Sequence, residues 1–196
     1  MSATVRALTG AELHRAIPDL AMLRIAVFAA YPYLYDGDAA YEAAYLQEFV
    51  AARDAVLVAA FDGTRIVGAA TASPMAAQKE EFRAPFEQRG IGTARLYYFG
   101  ESVLLPEYRG QGIGHAFFDH REAEAVCAGA TGATFAAVIR PDDHPARPSG
   151  YVPLDAFWTK RGYAPIEGFV TQLGWKEHGE TEESLKAMQY WMRKLK

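Results

Sequence analysis

Residues 104–115 read LLPEYRGQGIGH, and this segment indicates the fold more strongly than any other part of the chain. The residues before it, about 95–105, form the longest strand candidate, and residues 113–128 have the pattern of a helix. Three glycines stand at the junction, namely Gly110, Gly112 and Gly114. Glycines let backbone N–H groups approach a ligand closely, and a helix N-terminus adds unpaired N–H groups and a partial positive charge. The segment therefore predicts an anion site suited to a pyrophosphate.

Other well-known phosphate loops do not fit this segment. A Walker A loop needs Lys followed by Ser or Thr after its last glycine, but His115 and Ala116 follow Gly114. A dinucleotide fingerprint needs a glycine five residues after its first, and those positions hold His115 and Phe117. The same spacing excludes a kinase-type loop.

The rest of the chain mixes strands and helices. Residues 11–30 carry apolar side chains at three- and four-residue spacing, which is typical of an amphipathic helix. A turn at Asp62-Gly63 joins two apolar runs and predicts a hairpin. The central strand, the helix after it and the apolar residues 134–139 predict a parallel strand pair with a right-handed crossover. The other expected elements are strands at 4–8, 55–61, 65–71, 164–175 and 188–195, helices at 38–49 and 154–161, and a helix or loop at 75–90.

Arg109, Gly112 and Gly114 form the pattern Arg-x-x-Gly-x-Gly after a strand that ends near Pro106. With this motif the chain resembles the GNAT superfamily of N-acetyltransferases. Residues 157–163, FWTKRGY, look like the superfamily's later helix ending in a glycine and an aromatic residue. The resemblance implies an α+β (mixed α/β) fold with a central, twisted, mostly antiparallel mixed sheet of about six to seven strands flanked by helices, in one domain over residues 1–196. The alternative is an ordinary glycine turn between a strand and a helix.

The resemblance also implies acetyl-CoA as co-substrate. In the superfamily the backbone N–H groups of this loop hold the pyrophosphate, and the pantetheine arm lies along the end of the preceding strand. That strand usually bulges, here near Val103 and Leu104, so that a free N–H faces the thioester oxygen. The implied cofactor-binding residues are Val103, Leu104, Leu105, Arg109, Gly110, Gln111, Gly112, Ile113, Gly114 and His115.

An alkyl amine is mostly protonated at pH 7 and must lose a proton before it attacks a thioester. Glu101 is our candidate base, because strand alternation places it on the face of Tyr97, Phe99 and Val103, among apolar neighbours. The alternatives are a Glu on the solvated side of the strand or one paired with Arg95.

The sequence also leaves the identity of the general acid undecided. Many members of the superfamily have a tyrosine where this chain has Trp158, which cannot donate a proton at a useful pKa. Tyr151, Tyr163 or a bound water is expected to substitute, and the alternative for Tyr163 is core packing.

The acceptor site is expected to include Tyr31, Tyr33, Tyr35 and Asp36, because this region covers the acceptor pocket in proteins that resemble the superfamily. Aromatic faces and negative charge favour a small cationic amine. Asp142 and His144 follow the apolar strand 134–139 and are further candidates, with turn residues as the alternative. Asp38 is read as a helix N-cap, and Tyr41 and Tyr45 as packed helix positions.

Composition limits the partners. The net charge is −4, with no basic face, so we expect no nucleic acid. The single cysteine, Cys127, is read as a buried helix residue, and the absence of a Cys/His cluster predicts no metal. No run reaches the roughly 18 apolar residues of a membrane span, and residues 1–10 lack a secretory pattern, so we expect a cytoplasmic protein that binds no membrane. The apolar final strand packs either the core or a homodimer.

The function expected from the sequence is acetyl-CoA-dependent N-acetylation of a small primary amine, by direct attack in a ternary complex. Two alternatives are left open: acetylation of a protein N-terminus or lysine, and a non-catalytic CoA-binding or CoA-sensing module.

Overall fold

The computed structural model describes residues 3–196. The helices in this range are α1 (Gly10–Phe28), α2 (Ala39–Ala51), α3 (Glu80–Gln88), α4 (Ile113–Cys127) and α5 (Asp155–Lys160). The strands are β1 (Thr4–Leu8), β2 (Val56–Asp62), β3 (Arg65–Pro74), β4 (Leu96–Leu104), β5 (Gly132–Val138), β6 (Ala164–Trp175) and β7 (Ser184–Lys194). Residues 75–90 contain a 3-10 turn and α3, and the last strand begins at Ser184 rather than at Met188 as expected.

The seven strands of the described chain form one sheet in the order β1-β2-β3-β4-β5-β7-β6. Every neighbouring pair is antiparallel except β4 and β5, which are parallel and joined through α4. The α+β class, the mostly antiparallel mixed sheet and the parallel pair around the glycine loop are therefore confirmed.

Helices cover both faces of the sheet. On one face, α1 and α2 bury a cluster that includes Leu20, Leu46 and Leu57. On the other face, α4 packs Phe117 and Phe118 against the central strands. The helix α3 closes a third cluster with β6 and β7. Burial of each large apolar side chain stabilises the fold by about 1.5–3 kcal/mol, so these clusters fix the sheet between its two helical layers.

The strands β4 and β5 part soon after they meet. Their pairing covers Leu96–Tyr98 on β4, and β4 then continues to Leu104 beside β3. One edge of β4 beyond Tyr98 therefore faces a gap between two strands of the same sheet. This gap is the feature of the fold that positions the candidate site.

A β-bulge in β4 corrects two expectations. On β3, Ala70 pairs with Ser102 and Ala72 pairs with Phe99, so Thr71 alone lies opposite both Gly100 and Glu101. The bulge therefore lies at Gly100 and Glu101, not near Val103 and Leu104.

The extra residue also reverses the alternation of side chains after the bulge. Tyr97 and Phe99 pack in the α4 cluster, whereas Val103 packs in the α1–α2 cluster. Glu101 bonds to Arg24 of α1 and so faces the same side as Val103. The prediction that Glu101 shares a face with Tyr97 and Phe99 was wrong, because strict alternation does not hold across a bulge.

Candidate active site

The glycine loop connects a 3-10 turn at Pro106–Tyr108 to the first residue of α4, Ile113. Gly110 and Gly112 have φ angles of +75° and +81°, which side-chain-bearing residues rarely adopt. A Cβ atom at either glycine would have no heavy atom within 4 Å, so the loop is open on its outer side. The first N–H groups of α4 have no helical acceptor and carry the positive end of the helix dipole. The loop therefore has the chemistry of an anion cradle.

A cavity of about 1230 Å³ runs from this loop into the sheet. Its loop end is lined by Arg109, Gly110, Gly112, Gly114 and His115. Its middle lies between the parted strands, with Gly100, Glu101, Ser102 and Leu104 on β4 and residues 135–138 on β5. Its far end is lined by Tyr31, Tyr33, Asp142 and Tyr151. The volume exceeds the usual 300–1,000 Å³ of a small-molecule pocket, which leaves room for two substrates.

Glu101 lies in the middle of the cavity and is bonded to a buried arginine. Arg24 Nη1 donates to Glu101 Oε2 at 2.7 Å, and Arg24 Nε donates to Glu42 Oε2. Glu42 is fully buried, and its Oε1 has no hydrogen-bond partner within residues 3–196. Burial by itself lowers the pKa of Arg24, but the negative charges of Glu101 and Glu42 and the hydrogen bond to Glu42 outweigh it, and the net shift is upward. One guanidinium thus holds two carboxylates, and the partner of Glu101 is Arg24, not the Arg95 named as an alternative from the sequence.

Aromatic rings form the far end of the cavity. The rings of Tyr31 and Tyr151 meet edge to face with centroids 4.7 Å apart, and His144 lies against Tyr31 at 5.5 Å. Burial raises the pKa of Tyr33 to about 12. Burial and the neighbouring Tyr31 raise the pKa of Tyr151. The hydroxyls of Tyr33 and Tyr151 are therefore protonated at neutral pH and able to donate hydrogen bonds.

The tyrosine segment 31–35 is held in place by residues from distant parts of the chain. Arg140 Nε donates to the Pro32 carbonyl oxygen at 2.7 Å, and Trp175 Nε1 donates to the Tyr33 carbonyl oxygen at 2.9 Å. The backbone N–H of His178 donates to the Leu34 carbonyl oxygen at 2.9 Å. These bonds fix the backbone of the segment, so the tyrosine rings have a rigid support.

The model of the acetyltransferase (GNAT) family matches residues 21–163. The chain belongs to this family of acetyltransferases. The match includes α4, the glycine loop, Glu101 and Tyr163. A search of curated protein sequences gives no significant match.

Solved structures with the same fold include several acetyltransferases of low sequence identity. A ribosomal-protein-alanine N-acetyltransferase from Brucella melitensis is 13% identical, with a TM-score of 0.62 and coverage of 98% of this chain and 99% of that one. A phosphinothricin acetyltransferase from Sinorhizobium meliloti, in complex with acetyl-CoA, is 18% identical, with a TM-score of 0.57 and coverage of 100% and 89%. The yncA protein of Salmonella typhimurium, solved with its cofactor acetyl-CoA, is 10% identical, with a TM-score of 0.59 and coverage of 100% and 95%. At these identities the likeness concerns the fold.

Several residues predicted for the cofactor site of this acetyltransferase lie outside the cavity lining. Val103 is fully buried in the α1–α2 cluster, and Ile113 is buried under α4. The Gln111 side chain donates to the Glu107 carbonyl oxygen at 3.1 Å. Leu105 packs against the core. These four residues offer a ligand their backbone groups at most, whereas Leu104, Arg109, Gly110, Gly112, Gly114 and His115 border the cavity.

Three further residues predicted for the catalytic or acceptor site lie outside the cavity lining. Tyr163 is 1% exposed and donates to Glu122 Oε1 at 3.0 Å, so it packs in the core, as the alternative expected, and does not line the cavity. Tyr35 is buried, and its backbone pairs with that of Glu177. Asp36 pairs with Lys176 Nζ at 2.8 Å, away from the cavity.

Of the remaining predicted residues, those in the loop after β5 and Cys127 differ in part from expectation, whereas Asp38 agrees with it. Asp142 borders the cavity and pairs with Arg147 at 2.8 Å. His144 lies outside the lining and touches it only through the ring of Tyr31. Asp38 is the N-cap of α2, as read from the sequence. Cys127 is exposed at the end of α4 rather than buried.

The sequence reasoning missed Arg24, Glu42 and Arg121. Arg24 stands one residue after Leu23 in the apolar pattern of α1, and Glu42 lies in the first turn of α2. Arg121 occupies a buried position of α4 between Phe117 and Ala125, at four-residue spacing. A charged residue at an apolar position of a helical pattern was the available signal.

Within residues 3–196, no group of three or more His, Cys, Asp or Glu side chains is arranged to hold a metal ion. In the same range, every helix is too short or too polar to cross a membrane.

We expect Arg24→Met to destabilise the acetyltransferase by about 3–5 kcal/mol, because it leaves Glu42 and Glu101 buried without their cation. Chemical unfolding followed by circular dichroism measures this difference. Arg15→Met is the matched control on α1, since Arg15 is exposed, and it should change the free energy of unfolding by less than about 0.5 kcal/mol. Equal stabilities for the two variants would contradict a structural role of the buried cluster.

Proposed function

We propose that the protein binds acetyl-CoA and transfers the acetyl group to a primary amine by direct attack in a ternary complex. One observation carries the proposal: a single cavity joins the glycine loop, the gap between β4 and β5, Glu101 and the tyrosine-lined end. Family membership supports the acetyl transfer, and the cavity supports the presence of two substrates at once.

The glycine loop is proposed to bind the diphosphate of CoA. The backbone N–H groups of residues 110–115 supply neutral donors, and Arg109 adds a positive charge at the same end of the cavity. The pantetheine arm is proposed to lie in the gap, where β4 beyond Tyr98 lacks β5 as a partner and has backbone groups to offer. This placement directs the thioester towards Glu101 and the bulge.

Glu101 is proposed as the group that removes a proton from the acceptor amine, directly or through water. Its carboxylate borders the cavity, and Arg24 fixes its orientation from behind. This role rests on the position of the carboxylate at the cavity surface, within the space proposed for the amine. Cys127 lies outside the lining, which supports direct attack over an acyl-enzyme.

The acceptor is proposed to be a small amine held between Tyr31, Tyr33 and Tyr151. Aromatic faces attract a protonated amine, and Glu101 lies at the inner end of the same space. Asp36 was expected to supply negative charge, but it pairs with Lys176 outside the cavity lining. The preference for a cation is therefore proposed to come from the tyrosine rings and Glu101.

CoA binding tests the first half of the proposal. We expect Gly112→Ala to weaken CoA binding at least about tenfold in calorimetry, because a residue at φ +81° with a Cβ shifts the N–H groups of the cradle. Gly129→Ala is the matched control, since Gly129 has φ +80° and equally open space at the other end of α4. Both variants carry a similar strain of about 1 kcal/mol, so only Gly112→Ala should lose affinity. No affinity of the unaltered protein for CoA would overturn the proposed function.

Release of free thiol over a panel of amines tests the second half. We expect Glu101→Gln to lower kcat by about 10²–10⁴-fold with unchanged CoA affinity, because the amide keeps the shape of the side chain but cannot accept the proton. Glu48→Gln, at an exposed position of α2, is the control. Unchanged turnover of Glu101→Gln would remove Glu101 as the base, and CoA binding without turnover of any amine would favour the non-catalytic module.

The acid role is tested at Tyr151. We expect Tyr151→Phe to lower kcat by about 10–100-fold, because it removes a protonated hydroxyl from the cavity and keeps the ring that packs on Tyr31. Tyr163→Phe is the comparison, since its hydroxyl bonds to Glu122 in the core. A loss of kcat in Tyr163→Phe but not in Tyr151→Phe would reverse the assignment. Turnover of peptides in place of small amines would support the protein acetyltransferase.

A further inference from the structure

Arg121 is a buried cation without a buried anion beside it. It is 1% exposed and lies in the stripe of α4 that faces the sheet. Within residues 3–196, no carboxylate lies within ion-pair distance of its guanidinium. Burial lowers the pKa of Arg121 to about 10, so the group is still charged at neutral pH. A buried charge of this kind is costly unless it is paired, so its presence calls for a specific reason.

The contacts of Arg121 are neutral and incomplete. Nε donates to the Phe117 carbonyl oxygen at 3.2 Å, and Nη1 donates to the Thr71 carbonyl oxygen at 3.4 Å. In the described chain Nη2 has no hydrogen-bond partner. The guanidinium carbon lies 4.4 Å from the ring centre of Phe99 and 4.7 Å from that of Phe118. The rings compensate part of the desolvation but do not neutralise the charge.

Thr71 connects Arg121 to the bulge of β4. It is the residue of β3 that faces both Gly100 and Glu101. Its Oγ1 accepts a hydrogen bond from the Glu101 backbone N–H at 3.2 Å. A Cβ atom at Gly100 would lie 2.5 Å from the same oxygen, so Gly100 and Thr71 fit together only because Gly100 has no side chain. Arg121 and the bulge therefore act on the same residue from two sides.

We propose that Arg121 is a positioning residue that holds Thr71, and through it the bulge at Gly100 and Glu101, in the geometry that acetyl transfer requires. Arg121, Gly100 and Glu101 border the same cavity, so a shift of the bulge moves the carboxylate relative to the substrates. The inference rests on the proposed function. It predicts that Arg121 lowers the stability of the fold and raises turnover, whereas an ordinary core residue stabilises the fold.

The test is Arg121→Met, which keeps most of the side-chain volume and removes the charge and the donors. We expect the melting temperature to rise by about 2–4 °C or more, since an unpaired buried charge is removed. We expect kcat to fall at least about tenfold, with CoA affinity and the KM for acetyl-CoA unchanged. Arg53→Met, at a 96% exposed side chain, is the control and should change neither quantity.

If Arg121→Met lowers both stability and turnover, Arg121 is an ordinary core residue. If kcat is unchanged, its charge is dispensable for turnover. Either result overturns the inference.

Thr71→Val provides a second test, because it removes the oxygen that accepts the Glu101 N–H and keeps a β-branched strand residue. We expect it to lower kcat, and its effect should not add to that of Arg121→Met, because both act through one bulge. Unchanged kcat in Thr71→Val, or additive losses, would contradict the inference even if Arg121→Met does not fold. Failure of the proposed function itself is separate, because it appears as absent CoA binding in the unaltered protein.

Discussion

The separation of β4 from β5 is the constraint on which the site depends. The two strands share a ladder only over Leu96–Tyr98, and beyond it each keeps its other neighbour, β3 or β7. The sheet therefore stays continuous while an opening forms inside it. An opening of this kind exposes backbone groups in a protein interior, which is costly unless a ligand or water satisfies them. The glycine loop and the N-terminus of α4 lie where β4 ends, so the opening and the anion cradle belong to one cavity.

The bulge determines which helical layer supplies the partners of the central carboxylate. Without it, Glu101 would face α4 and the aromatic cluster around Phe99. With it, Glu101 faces α1 and pairs with Arg24. The backbone N–H of Glu101 then donates a hydrogen bond to Thr71 Oγ1. The carboxylate is then fixed by a charge-assisted hydrogen bond, and its backbone is fixed by a neutral one. Orientation of this group therefore depends on α1, β3 and β4 together.

The sequence predicted those features that depend on local patterns. The glycine spacing, the apolar periodicity of α1 and α4 and the turn at Asp62-Gly63 each require only neighbouring residues, and all appear in the structure. The errors arose where distant residues meet. The bulge results from the register between β3 and β4, and strand alternation gave the wrong face for Glu101 because it assumes that no residue is inserted. Tyr35 pairs through its backbone with Glu177, and Asp36 forms an ion pair with Lys176, so neither lines the cavity. No local sequence pattern shows that these distant residues lie close together.

The buried charges on the two faces of β4 are best understood together. On the α1 side, Arg24 holds Glu42 and Glu101, which leaves one formal negative charge; on the α4 side, Arg121 adds one positive charge. Glu101 is close enough for its charge to raise the pKa of Arg121 against the larger effect of burial. Coulomb interactions between buried groups are weakly screened, so the excess on each face partly compensates the other. In the proposed reaction, a proton transferred from the amine to Glu101 would neutralise this carboxylate and leave Arg121 as the uncompensated charge beside the cavity.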